Sequence, residues 1–228
     1  MRMSLYTSIQ KSKAKGKKLF AVLIDPDKFG SLETVHLAEA AGVDILLVGG
    51  SLLTNGNFSK CIQKIKKSTH IPVLIFPGNN LQISKDADGI LLLSLISGRN
   101  ADLLIGKHVV AAPILRSSKL EIIPTGYMLI ESGKQTTALY MSATNPIPGD
   151  KDDIAMCTAA AGEMLGLKII YMDAGSGALK PVSENMIKKV SKEIKIPLII
   201  GGGINTPEAA MKACKRSEER RVGKECRL

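Results

Sequence analysis

The stretch Lys168-Ile-Ile-Tyr-Met-Asp-Ala-Gly-Ser-Gly177 starts as an apolar strand at Ile169 and Ile170 and ends in a Gly-Ser-Gly turn. Tyr171 and Asp173 stand where strand becomes loop. The pattern recurs at Ile196-Pro-Leu-Ile-Ile-Gly-Gly-Gly-Ile204, again an apolar strand running into glycines. A glycine lacks Cβ, so its backbone approaches an anion closely and adopts φ > 0 without strain. Two such strand ends in tandem predict a phosphate site built from backbone N–H groups. Taken singly, each is also an ordinary tight turn between strand and helix.

Working outward, the same grammar repeats along the chain. Leu19–Ile24 is a short continuous apolar run that ends in Asp25-Pro-Asp-Lys28. Asp44–Ser51 is a second strand with a Gly-Gly-Ser exit, and Ile71–Asn79 a third that leaves through Phe-Pro-Gly-Asn. Gly89–Leu95 and Glu121–Ile130 read as the fourth and fifth, the latter punctuated by Pro124 and Gly126. Helices are predicted over 31–41, 58–68, 100–109, 152–165 and 183–194, with another starting at Pro207. Residues 134–140 read as an extra short strand or hairpin, and 142–148 as loop. Apolar strands alternating with helices indicate a parallel sheet. Without a G-x-G-x-x-G after the first strand, an α/β TIM (β/α)8 barrel is preferred to a doubly wound sheet. The 228 residues suit one such domain.

Only seven strands are legible. From Arg216 the text turns into Arg-Ser-Glu-Glu-Arg-Arg-Val-Gly-Lys-Glu-Cys-Arg-Leu228, which resembles the translation of a widely used sequencing adapter. The expectation is a single barrel domain over residues 1–215, a non-native tail over 216–228, and a missing last strand and helix. Such a barrel would be open, with edge strands at the gap.

Composition narrows the function. The chain is 45% hydrophobic, which excludes global disorder. The longest apolar candidate, 101–115, is broken by Lys107, His108 and Pro113, short of the ~18–20 residues a bilayer span needs. Residues 1–18 are polar and lysine-dotted, unlike a secretory signal. Cys61, Cys157, Cys214 and Cys226 lack C-x-x-C spacing, and His36, His70 and His108 lack ligand spacing. A cytoplasmic protein is expected. The net charge of +10 is spread along predicted helices, and four Phe, four Tyr and no Trp give little for base stacking, so no nucleic-acid partner is expected.

Asp25, Ser51, Asp173 and the glycine turns all fall at the C-terminal ends of predicted strands, which meet on the active face of a barrel. A carboxylate at Asp25 beside a hydroxyl at Ser51 offers oxygen ligands to Mg²⁺, an ion that often takes one or two protein ligands plus substrate phosphates. Asp173 is a candidate catalytic base, or a carboxylate that merely caps its loop. A phosphate-binding barrel of another activity, or a non-catalytic binder, would use similar turns.

Together, Leu23-Ile-Asp-Pro-Asp-Lys28, Val48–Ser51, Phe76–Asn79, Pro124–Tyr127, Tyr171–Gly177 and Gly201–Ile204 resemble signatures of the geranylgeranylglyceryl phosphate synthase family, over roughly residues 19 to 213. That resemblance implies a modified TIM barrel that joins a polyprenyl diphosphate, by family C20, to the 3-hydroxyl of sn-glycerol 1-phosphate and releases diphosphate. It implies Mg²⁺ on Asp25 and Ser51. It also implies glycerol phosphate held by Tyr171, Met172, Asp173, Ala174, Gly175, Ser176, Gly177, Gly202 and Gly203. Leu23, where part of the family has lysine, and Asp173, where glutamate is frequent, point to the family's second subgroup. The Gly-Asn pair that closes the family's eighth strand has no counterpart. The prenyl chain is expected in an apolar groove between strands and helices that includes Tyr127. A homo-oligomer and peripheral membrane contact are further implications.

Overall fold

The computed structural model describes residues 4–55, 57–216 and 224–227. Eight parallel strands close in sequence order: β1 (Leu19–Ile24), β2 (Ile45–Val48), β3 (Val73–Ile75), β4 (Gly89–Leu95), β5 (Glu121–Leu129), β6 (Ile169–Asp173), β7 (Leu198–Gly201) and β8 (Lys224–Arg227). Between them stand α2 (Glu33–Ala40), α3 (Phe58–Ser68), α4 (Lys107–Ser117), α5 (Thr137–Ser142), α6 (Asp152–Met164), α7 (Glu184–Glu193) and α8 (Pro207–Arg216), with α1 (Leu5–Ala14) ahead of the first strand. The barrel expected from the alternation of strands and helices is the fold observed.

Strand residues alternate between two apolar environments, which is why the runs read as continuously apolar. Leu19, Ala21, Ile45, Leu47, Leu74, Leu91, Ile123, Ile169, Tyr171 and Ile199 fill the barrel interior as one cluster. Their neighbours pack outward in two clusters against the helices. Pro124 sits inside β5 without breaking it, for a reason visible in the hydrogen bonds. Its carbonyl faces β6 and accepts from Lys168 N–H at 2.8 Å, so its absent N–H would also face β6. Pairing of β5 with β6 begins only at Thr125, so no ladder bond is lost there. Gly126 and Gly162 let α6 approach closely, since a Cβ on either would come within 3.0 Å of Ile96 and Ile170 side chains.

Three expectations change, and the polar N-terminal segment, which carried none, is a helix: it forms α1, whose Ile9 packs into the barrel interior at the N-terminal ends of the strands. There the Glu121 carboxylate accepts the N–H groups of Leu5 (2.6 Å) and Tyr6 (2.8 Å), and Lys13 Nζ donates to the carbonyls of Lys195 and Ile196. Residues 134–140 contain no strand: α5 begins after Thr136, whose hydroxyl caps it through Leu139 N–H. The helix expected over 100–109 opens instead as a π-helical turn, Asp102–Gly106, and continues as α4 to Ser117. Pro113 lies on its exposed side, so the lost bond faces water rather than the core.

The third concerns the expected gap. Backbone pairing joins Lys224–Arg227 to β1 at four positions and to β7 at one, so the opening between those edges is bridged. Unpaired strand edges accept any extended segment within reach, because the ladder is made by backbone groups. The segment has none of the apolar composition of β1–β7. The rest of the predicted tail, 217–223 and 228, lies outside the described residues.

Candidate active site

In β6 the two-residue period decides which side chains reach the mouth of the barrel. Ile169, Tyr171 and Asp173 point inward, whereas Ile170, Met172 and Ala174 belong to the outer core against the helices. The expectation that Met172 and Ala174 line the substrate site is therefore corrected for their side chains. The Ala174 N–H is also committed, to Gly201 O at 3.0 Å. Tyr171 is buried, its ring stacked on Phe76 (5.1 Å between centroids, 15° between planes) and edge-on to Tyr127 (5.5 Å). The three rings form an aromatic layer across the top of the barrel interior.

Asp173 sits above that layer, 7% exposed. The Tyr127 hydroxyl donates to Oδ2 at 2.5 Å, and Gly175 N–H donates to Oδ1 at 2.6 Å. Burial pushes this carboxyl above its ordinary value, and the two hydrogen bonds pull part of the way back. The reading of Asp173 as only a loop cap is half right, since the Gly175 bond is such a cap. The second oxygen, however, is turned to a tyrosine that also faces a groove.

The two glycine turns meet at this acid. Gly175, Gly177, Gly202 and Gly203 all have φ between 71° and 86°. A Cβ on Gly202 would stand 2.4 Å from Gly175 N and 2.7 Å from Asp173 Oδ1, so only glycine lets the β7 exit lie against the β6 exit. Ser176 and Gly177 are exposed at the rim. Lys134, expected in a hairpin, brings its ammonium to 3.2 Å from where a Gly177 Cβ would be. Nothing in the sequence near Lys134 marks this, because the approach is made across two loops.

On the opposite side of the mouth, the Asp25 carboxylate lies 3.5 Å from the Cβ position of Gly50, the residue before Ser51. Asp25 therefore stands beside the loop that carries Ser51, the second residue predicted as a metal ligand. Asp25 also accepts Asp27 N–H (3.1 Å) and pairs with exposed Lys28 (3.5 Å). Asp27 is structural: its carboxylate accepts Thr54 N–H, Thr54 O–H and Asn55 N–H at 2.6–3.1 Å. Among the described residues no cluster of three or more acidic, His or Cys side chains could hold a metal. One carboxylate beside one serine fits a hard cation that completes its shell with phosphate oxygens and water, and fits zinc poorly.

Between these two halves opens a groove of about 180 Å³ that runs from Gly50, Ser51 and Tyr127 down between β4 and α4, past Leu92, Leu95, Leu103, Ala111 and Leu115. Its walls are mostly apolar. His108 lies along it, Nε2 against Leu93 O at 2.9 Å, while its buried Nδ1 has no partner among the described residues. Tyr127 touches both the groove and Asp173.

The chain matches known proteins over nearly its whole length. The family model described as the PcrB family matches residues 10–223. A geranylgeranylglyceryl phosphate synthase of Chitinophaga pinensis is 52% identical over 218 residues, covering 94% of this chain and 86% of its own length. The geranylgeranylglyceryl phosphate synthase of Thermoplasma volcanium superposes with a TM-score of 0.90 at 32% identity, covering 99% of this chain and 89% of that one. That of Thermoplasma acidophilum, solved in complex with substrate sn-glycerol-1-phosphate, gives 0.89 at 33%, covering 99% and 90%. A barrel whose glycine turns, buried Asp173 and apolar groove converge on one face is therefore joined by sequence to a defined group, and the chain belongs to the PcrB family.

Proposed function

We propose that the protein is a Mg²⁺-dependent prenyltransferase of the geranylgeranylglyceryl phosphate synthase type. It joins geranylgeranyl diphosphate to the 3-hydroxyl of sn-glycerol 1-phosphate and releases diphosphate. The observation that carries this reading is Tyr127, which lines the apolar groove and bonds Asp173 at 2.5 Å. An apolar donor groove and a phosphate-turn acceptor site thus share one wall.

The acceptor's phosphate lies in the turns at Ser176–Gly177 and Gly202–Gly203, where glycine permits backbone N–H groups to converge, with the Lys134 ammonium beside them. Fixing the phosphate there orients the 3-hydroxyl toward Asp173, which removes much of the entropy cost of the encounter. The prenyl chain lies along β4 and α4 with its diphosphate at Asp25 and Ser51. Magnesium, when bound, neutralises the leaving diphosphate. Asp173 takes the hydroxyl proton as the oxygen forms its bond to the allylic C1 and the C1–O bond to diphosphate breaks. The raised pKa of Asp173 suits it to accept that proton. The groove excludes water from C1, so the hydroxyl rather than solvent captures it.

The protein acts as a homo-oligomer through the outward face of α4. Val109, Val110 and Ile114 there, and Ile105 in the π-helical turn before it, are 55–64% exposed. Asp102 and Arg116, both exposed, stand equally far in sequence on either side of Val109. A second copy related by a two-fold axis at Val109 would set each Asp102 against the partner copy's arginine, with apolar residues between. Sedimentation checks this: Val109→Asp should shift the species to monomer, and an unchanged mass would move the interface elsewhere.

The test of the reaction is a pair of variants. Asp173→Asn should lower kcat by about 10²–10⁴ while leaving glycerol phosphate binding in place. Asp25→Ala should raise the magnesium needed for half-maximal rate. Full turnover in Asp173→Asn would remove the proton-acceptor role.

A further inference from the structure

We propose that Gln82 is the positioning residue that sets the diphosphate-metal end of the site. Its side chain is 1% exposed, and its amide bonds backbone groups of two different loops. Oε1 accepts Gly78 N–H at 3.1 Å and Gly50 N–H at 3.4 Å, and Nε2 donates to Gly50 O at 2.8 Å. One amide therefore holds both the N–H and the carbonyl of Gly50 and ties them to the loop after β3.

The two loops it joins are in backbone contact. A Cβ on Gly78 would come 2.1 Å from Gly50 O and 2.8 Å from Ser51 Cα, and one on Gly49 would come 1.8 Å from Phe76 O. Gly50 lies against the Asp25 carboxylate and immediately precedes Ser51. Rotation of the Gly50 peptide would carry Ser51 away from Asp25, so the spacing of the two oxygen donors depends on a residue that touches neither. The amide suits this task because it supplies an acceptor for two N–H groups and a donor for one carbonyl at once. A carboxylate could not donate, and an apolar side chain would deprive three partly buried backbone groups of this partner. Gln82 makes none of these bonds to the glycine turns of β6 and β7, so its influence is confined to one half of the site.

The inference rests on the reading of Asp25 and Ser51 as the diphosphate-metal end. Calorimetric titration separates the two. Inorganic diphosphate with Mg²⁺ probes this end and sn-glycerol 1-phosphate the other, in wild type, Asp25→Ala, Gln82→Met and Gln82→Glu. Gln82→Met should weaken magnesium-dependent diphosphate binding at least tenfold while glycerol phosphate affinity stays within twofold. Gln82→Glu should bind diphosphate weakly at pH 8 and recover as pH falls toward 5.5, because the protonated carboxyl again donates to Gly50 O. That pH response is one a merely structural residue would not show, and it serves equally if Gln82→Met fails to fold. Parallel loss of both ligands, or diphosphate binding unchanged in Gln82→Met, would overturn the positioning role. Absence of magnesium-dependent diphosphate binding in wild type, or its persistence in Asp25→Ala, would instead overturn the underlying reading and the inference with it.

Discussion

Asp173 concentrates the chemistry in one carboxyl group, and its environment makes a pH prediction. Burial raises its pKa above the ordinary 3.8, with the bonds from Tyr127 and Gly175 as partial offsets. A raised folded-state value means that this group favours folding most below the unfolded pKa, and that the contribution is lost as pH rises through the folded pKa. Turnover needs the ionised form. Activity should therefore fall on the acid side with a midpoint above 3.8, while protonation of Asp173 itself leaves the barrel folded. Rate and circular dichroism followed together check this, and recovery on return to neutral pH is expected. Gly202 makes the second prediction at this scale. Gly202→Ala puts a Cβ 2.4 Å from Gly175 N at a φ of 78°, a backbone cost of about 1–2 kcal/mol. It should weaken glycerol phosphate binding by roughly 5–30-fold, since about 1.4 kcal/mol corresponds to a factor of ten. Unaltered affinity would mean that the phosphate lies away from the β7 turn. Asp173 and the turn glycines are legible in the sequence because their chemistry is local. Lys134 and Gln82 are not, because each acts across a loop-to-loop approach that no spacing encodes.

At the scale of elements, the strands are the easiest to read and the helices at their margins the hardest. β1 and β2 are continuous apolar runs because both faces of each lie against apolar packing. The two-residue alternation in β6 is equally present in the sequence, and it already assigns Met172 and Ala174 to the outside. α5 reads as a hairpin because Thr136 and Thr137 favour strands, yet Thr136 serves as a cap. α1 gives no apolar signal because it buries little beyond Ile9, and polar bonds to Glu121, Lys195 and Ile196 hold it in place. Glu121→Ala removes the acceptor for two N–H groups at the N-terminus of α1. A loss of about 1–2 kcal/mol is expected, seen as a Tm lower by about 3–6 °C for a domain of this size. The groove between β4 and α4 makes a prediction of its own. Ala111→Phe fills its deeper part and should favour shorter prenyl diphosphates over C20, read as the ratio of kcat/KM values. An unchanged ratio would place the chain elsewhere.

For the whole molecule, the division of labour follows the barrel axis. α1 closes the N-terminal end, where Glu121 and the 195–196 carbonyls anchor it, and the opposite end carries every candidate functional group. No helix among the described residues is long and apolar enough to cross a membrane. The barrel is legible from seven apolar strands, whereas its closure is not, because Lys224–Arg227 has none of their apolar composition. Deleting residues 217–228 should leave the β1 and β7 edges unpaired and increase self-association, as measured by light scattering. The most direct test of the proposed reaction is a two-substrate assay with geranylgeranyl diphosphate, sn-glycerol 1-phosphate and Mg²⁺, in which diphosphate and the lipid product are both quantified. Equimolar diphosphate and an ether at the 3-hydroxyl are predicted, both dependent on each substrate. Diphosphate released without glycerol phosphate, or no ether product at all, would contradict that reaction.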